Sequence, residues 1–142
     1  PVEIVPGITS GIAAPAYCGI PLTSRGYSCS ATFVTGHEAA GKYRPQVNWQ
    51  AIAQGSETLV IYMGIHNLPQ IIPQLLAGGL TTDTPIALIR WGTRPDQEEL
   101  LGNLGDIVQK VETTGFSAPA IAIVGRVVEL HPQYDTLLHT AD

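Results

Sequence analysis

Thr58-Leu59-Val60-Ile61-Tyr62-Met63-Gly64, followed by Asn67-Leu68-Pro69-Gln70-Ile71-Ile72-Pro73-Gln74-Leu75-Leu76 and closed by Gly78-Gly79, is the stretch that decides the fold. Its first part is a short β-branched run ended by glycine, which predicts a buried strand. In the second part proline falls in the first turn, and Ile71, Ile72, Leu75 and Leu76 recur at helical spacing. The Gly78-Gly79 pair then stops the helix. A strand that feeds a helix predicts a layered α/β domain.

Further strand signals lie at Val2–Val5, Ser30–Thr35, Pro85–Trp91 and Ala120–Val124, each bounded by Gly, Pro or polar residues. Helical patterns cover Thr9–Gly19, with Thr9 as the expected N-cap, and Leu104–Thr114, closed by Gly115. A shorter one covers Trp49–Gln54. The brief link Gly92-Thr93-Arg94-Pro95 leads to a possible strand at Glu99–Asn103, and so short a link suits an antiparallel neighbour better than a crossover. The expectation is therefore a mixed β-sheet flanked by helices over residues 1–130. Residues 131–142, which lose periodicity, are expected to form a C-terminal tail.

Composition narrows the function. Charged residues make up only 13% of the 142, and seven Lys plus Arg against twelve Asp plus Glu give a net charge of −5. No basic stripe exists to neutralise a phosphate backbone, which argues against nucleic acid as a partner. Apolar runs break well before the roughly 18 residues of a membrane span, so a soluble, cytoplasmic protein is expected. Cys18 and Cys29 stand in no metal-ligand spacing and are expected to be reduced, buried, structural thiols.

Familiar catalytic motifs fail. His37-Glu38 lacks the second histidine of H-E-x-x-H, since position 41 is Gly, and His66, His131 and His139 stand apart from other ligand types, so no metal site is expected. Gly26-Tyr27-Ser28 and Gly55-Ser56-Glu57 lack the nucleophile elbow, and no phosphate-binding glycine loop is present. Asp96, Glu98 and Glu99 read as a solvated polar face.

What remains are glycine-containing loops at strand ends, where backbone can approach a ligand and a helix start offers free N–H groups. They are Val5-Pro6-Gly7-Ile8-Thr9-Ser10, Tyr62-Met63-Gly64 and Trp91-Gly92-Thr93. Together with Gly19-Ile20-Pro21-Leu22-Thr23, Arg25, Tyr27, Thr35-Gly36-His37, and Pro119 through Gly125-Arg126-Val127-Val128, this order resembles the tetrapyrrole methylases. The resemblance covers the C-terminal part of the family's catalytic module, roughly its latter half. The family's G-x-G-P-G-D opening and its proposed acid/base residues have no counterpart here. The chain opens on Pro1 and accordingly reads as a piece of a longer protein whose N-terminal domain is absent.

The resemblance implies a two-domain α/β enzyme that uses S-adenosyl-L-methionine to methylate two ring carbons of uroporphyrinogen III. The product would be precorrin-2, for sirohaem and cobalamin synthesis, with S-adenosylhomocysteine released. A homodimer is implied as well. Alternatives in the same frame are a methylase acting on a later cobalamin intermediate, or a non-catalytic dimerisation module in isolation. Residue by residue, the resemblance implies that Thr9, Ser10, Met63, Gly92, Pro119 and Ala120 contact the cofactor. Arg25 and His37 are the implied substrate contacts, Arg25 as a partner for the carboxylates of uroporphyrinogen, although Ser24 stands where the family often has His. No catalytic acid or base is implied on this half, and the isolated chain is expected to be inactive.

Overall fold

The computed structural model describes residues 1–36 and 47–132. Five strands, β1 (Ala31–Thr35), β2 (Thr58–Tyr62), β3 (Pro85–Arg90), β4 (Glu98–Asn103) and β5 (Ala120–Val124), form one sheet in the order β1-β2-β5-β3-β4. Only β1 and β2 run parallel, and the other three pairings are antiparallel. The mixed sheet and the antiparallel Glu98–Asn103 neighbour match the sequence reading.

Among the described residues four α-helices, α1 (Ser10–Tyr17), α2 (Trp49–Gly55), α3 (Leu68–Ala77) and α4 (Ile107–Thr114), cover the two faces. Strand alternation divides the core. Leu59, Ile61, Ile86, Leu88 and Val124 face one way, against Trp49 of α2, Ile71 and Leu75 of α3, and Ile107 of α4. Val60, Ala87, Ile89 and Ile123 face the other way, against Ala14 of α1 and against Val127 and Val128 of a 3-10 helix, Arg126–Leu130. The large aliphatic side chains among them, such as Leu59, Ile61, Ile86, Leu88 and Ile123, are fully buried and contribute about 1.5–3 kcal/mol each. The termination signals also act as expected: Pro69 lies in the first turn of α3, and Gly115 takes the left-handed conformation, φ 69°, that ends α4.

Four expectations need correction. Residues 2–5 form no strand, and Val2, Ile4 and Val5 are at least 80% exposed. The run has β propensity but no strand beside it to complete a ladder, and propensity alone does not make a strand. Thr9 occupies the N-cap of α1, yet its side chain makes no capping hydrogen bond. Cys29 is exposed; only Cys18 is buried. The Glu57 carboxylate beside Cys29, which accepts a hydrogen bond from its backbone N–H, pushes that thiol's pKa up. Finally, Glu99 is not simply solvated: it pairs with His131. His131, the first residue of the expected tail, is itself buried against the body of the domain.

Candidate functional site

The ends of β2 and β3 and the start of β5 converge on one edge of the sheet, because β5 runs antiparallel between them. The N-terminal half of α1 lies over the same edge. Between these elements is a cleft of about 730 Å³, lined by Ser10, Ala13 and Ala14 of α1, Met63 and His66 after β2, Trp91, Gly92 and Thr93 after β3, and Ala118, Pro119 and Ala120 at β5. Its volume falls in the range of about 300–1,000 Å³ typical of small-molecule sites. No Asp, Glu, Lys or Arg is among its described lining residues.

The backbone at this edge is unusual. Met63, Trp91 and Thr93 have φ values of 52°, 51° and 71°, and among the described residues they are the only non-glycine positions with positive φ. All three line the cleft. A left-handed conformation costs an L-residue roughly 1–2 kcal/mol, and such strain is kept where the surroundings hold it, commonly at ligand sites. These turns leave Met63 at 64% exposure on the wall of the cleft rather than packed in the core.

Glycines set how closely the walls approach. A Cβ at Gly92 would lie 2.5 Å from the Ala14 Cβ, so this glycine lets the β3 loop touch α1. A Cβ at Gly11 would meet the Tyr62 hydroxyl and come within 2.7 Å of Val60 Cγ1. The Tyr62 hydroxyl lies 2.6 Å from Thr9 Oγ1 and ties the first residue of the helix start to the end of β2.

The structure thus brings Ser10, Met63, Gly92, Pro119 and Ala120 into one cavity, with Thr9 one hydrogen bond away through Tyr62. Arg25 is elsewhere. It is exposed in the tight turn closed by the Ser24–Ser28 bridge, and it has no ion-pair partner among the described residues. His37 lies outside the described residues.

Sequence reasoning passed over Tyr62, His66 and Trp91. For Tyr62 and His66 the available signal was their position beside Met63-Gly64 at a strand end. Trp91 stood inside the Trp91-Gly92-Thr93 block, and only the structure shows why its ring matters: the Arg90 guanidinium stacks over it, 3.7 Å from the ring centroid, and Arg94 lies at 5.8 Å. Both guanidiniums are paired, Arg90 with Glu98 at 3.2 Å and Arg94 with Asp96 at 2.8 Å, so charge surrounds the cleft without entering it.

At the opposite edge of the sheet lies a second cavity of about 740 Å³, lined by Cys29, Glu57, Asp83, Arg126 and Glu129 among others. Its four charged groups and its distance from the expected contacts set it apart from the first. Among the described residues no group of three or more His, Cys, Asp or Glu could hold a metal ion, and no helix is long and apolar enough to cross a membrane.

Comparison with known proteins bears on this geometry. Over 127 residues the chain is 65% identical to the uroporphyrinogen-III C-methyltransferase of Synechocystis sp., covering 89% of this chain and 48% of that protein. It is 53% identical over 126 residues to the enzyme of the same name from Priestia megaterium, covering 89% of this chain and 52% of that protein. The chain therefore spans about half the length of the curated relatives it matches. A crystal structure of uroporphyrin-III C-methyl transferase from Thermus thermophilus, complexed with S-adenyl homocysteine, superposes with a TM-score of 0.75 at 29% identity, over 92% of this chain and 55% of that one. Residues 1–108 match the family model of the tetrapyrrole (corrin/porphyrin) methylases. With that match across most of the chain, on a sheet whose strand ends build the cleft just described, this protein belongs to the tetrapyrrole methylase family.

Proposed function

We propose that residues 1–130 are the C-terminal domain of an S-adenosyl-L-methionine-dependent uroporphyrinogen-III C-methyltransferase that forms precorrin-2 for sirohaem and cobalamin synthesis. The observation that carries this reading is the convergence of Ser10, Met63, Gly92, Pro119 and Ala120, far apart in the chain, on one cleft with no Asp, Glu, Lys or Arg among its described lining residues. The relatives' names and the S-adenyl homocysteine complex of the similar structure support it. An N-terminal domain would close the other side of the cleft, and the assembly would be a cytoplasmic homodimer.

The cleft suits the cofactor's chemistry. Ala13, Ala14, Ile89, Pro119 and Ile121 offer an apolar surface for a flat base, and Met63 supplies a polarizable thioether. No Lys or Arg among the described lining residues opposes a sulfonium. When bound there, S-adenosyl-L-methionine would supply an electrophilic methyl group to a ring carbon of the tetrapyrrole, with the electron pair of the broken carbon–sulfur bond left on sulfur. This chain's residues position the methyl donor and exclude water, and holding reactants in near-attack geometry supplies a large part of such a barrier reduction. No Asp or Glu is among the described lining residues, and the family resemblance assigns the uptake of the ring proton that is later lost to the N-terminal half. Arg25, exposed and without an ion-pair partner among the described residues, is proposed as a donor to substrate carboxylates; His37 remains part of the same proposal.

The test is methyl transfer from labelled S-adenosyl-L-methionine to uroporphyrinogen III by the intact protein. Two added methyls support the reading. No transfer to uroporphyrinogen, with methylation of a later precorrin, would move the enzyme to another step. The chain alone is expected to transfer none.

A further inference from the structure

Resting on the reading of the first cleft as the cofactor site, we infer that Gln97 is a positioning residue for that site, anchored by Glu99 and His131. Gln97 does not line the cleft. Its amide instead reaches both walls of it.

Thr93 holds a left-handed backbone at the cleft rim, a conformation that β-branched residues rarely adopt. Its backbone N–H donates to Gln97 Oε1 at 2.7 Å. The other end of the same amide donates twice: Nε2 lies 2.7 Å from Glu99 Oε1 and 3.3 Å from Cys18 Sγ. Cys18 is the C-cap of α1, and its thiol donates to the Ala14 carbonyl at 3.2 Å. Ala14 is also the residue against which Gly92 packs. One side chain therefore couples the Trp91–Thr93 loop to α1.

The amide cannot turn over. An ionised carboxylate accepts only, so Nε2 must face Glu99, which leaves Oε1 for the Thr93 N–H. Glu99 is fixed in turn by His131, whose Nε2 lies 2.7 Å from Glu99 Oε2 and whose side chain is 4% exposed. Burial works to raise the Glu99 pKa, but its polar neighbours Cys18, His131 and Gln97 outweigh it and hold the carboxyl below its usual value. The chain of contacts runs from a buried histidine at the end of the domain, through a glutamate on edge strand β4, to the loop at the cleft rim.

The experiment measures S-adenosylhomocysteine affinity calorimetrically on the intact protein, together with KM and kcat. Gln97→Ala is expected to weaken binding about tenfold, the effect of one well-placed hydrogen bond, with KM for the methyl donor raised more than kcat is lowered. Gln97→Glu keeps the acceptor for Thr93 but sets a second carboxylate against Glu99. Its affinity relative to wild type should be poor at pH 8 and recover as the pH is lowered. In a Thr93→Gly background, where the backbone needs no support, Gln97→Ala should cost less than about threefold, a coupling that a double-mutant cycle reads directly. Gln97→Ala binding within twofold of wild type would overturn the inference. So would an equal loss in the Thr93→Gly background. If Gln97→Ala does not fold, Gln97→Glu decides: an affinity ratio that stays flat with pH overturns the inference. Wild-type protein that binds no S-adenosylhomocysteine would defeat the functional reading and this inference with it, whereas tight wild-type binding with unaffected variants defeats the inference alone.

Discussion

Thr9 Oγ1 and Tyr62 Oη lie 2.6 Å apart, so the hydroxyl placed to cap α1 instead joins that helix to the end of β2. This bond closes one corner of the cleft. Gly11, with no Cβ, is what lets the tyrosine ring approach the helix there.

A double-mutant cycle of Thr9→Val and Tyr62→Phe is therefore expected to show a coupling energy on the order of 1 kcal/mol, the net value of one hydrogen bond. Denaturant midpoints read it. Thr9→Asn, a stronger N-cap by preference, should not stabilise the protein, because the pairing with Tyr62 is lost. Zero coupling, together with stabilisation by Asn, would show that Thr9 acts as an ordinary cap.

Gly92→Ala places a methyl 2.5 Å from the Ala14 Cβ and wedges the β3 loop from α1. A loss of about 1–3 kcal/mol is expected, as for other overpacked sites. Ala14→Gly in the same chain should recover part of it, since it removes the atom being struck, although its own cost in a helix is about 1 kcal/mol. Thermal unfolding of the two single variants and the double variant checks the sign of the coupling.

Met63 offers a separation of stability from function. Glycine accepts φ 52° without strain, and a residue 64% exposed gives up little burial. Met63→Gly is expected to keep stability within about 1 kcal/mol of wild type while weakening S-adenosylhomocysteine binding. A large loss of stability would mean that the side chain packs the fold rather than serving the cleft.

Acid should loosen the Glu99–His131 pair. The Glu99 carboxyl sits below its usual value of 4.5 in the folded chain, so its stabilising contribution is complete above that value and fades as the pH falls through the lower, folded one. Glu99→Gln is expected to be less stable than wild type near neutrality and to flatten the acid limb of the stability curve. Urea unfolding across pH 3 to 7 measures this, and parallel curves for the two proteins would contradict it.

Much of the fold could be read from the sequence because its signals are local. Thr58–Tyr62 and Ala120–Val124 are apolar runs between turn residues, and Leu68–Ala77 carries both its proline start and its glycine stop. Val2–Val5 has the same local pattern without a partner strand, and no sequence window shows whether a ladder exists. The cleft was legible in part: Ser10, Met63, Gly92, Pro119 and Ala120 came from a resemblance, and the structure brings them to one edge. The glycines beside Met63, Trp91 and Thr93 announce a turn, but the left-handed conformation falls on the non-glycine residues, which no local signal shows. The Gln97–Glu99–His131 contacts were hidden for another reason, since Glu99 and His131 are 32 positions apart and only the sheet edge brings them together.

The measurement that bears most directly on the central claim is a crystal structure of the intact protein with S-adenosylhomocysteine. The ligand is expected in the cleft between α1 and the ends of β2 and β3, in contact with Ser10, Met63, Gly92 and Ala120. A ligand seated in the charged cavity beside Glu57 and Arg126, with the first cleft empty, would contradict it.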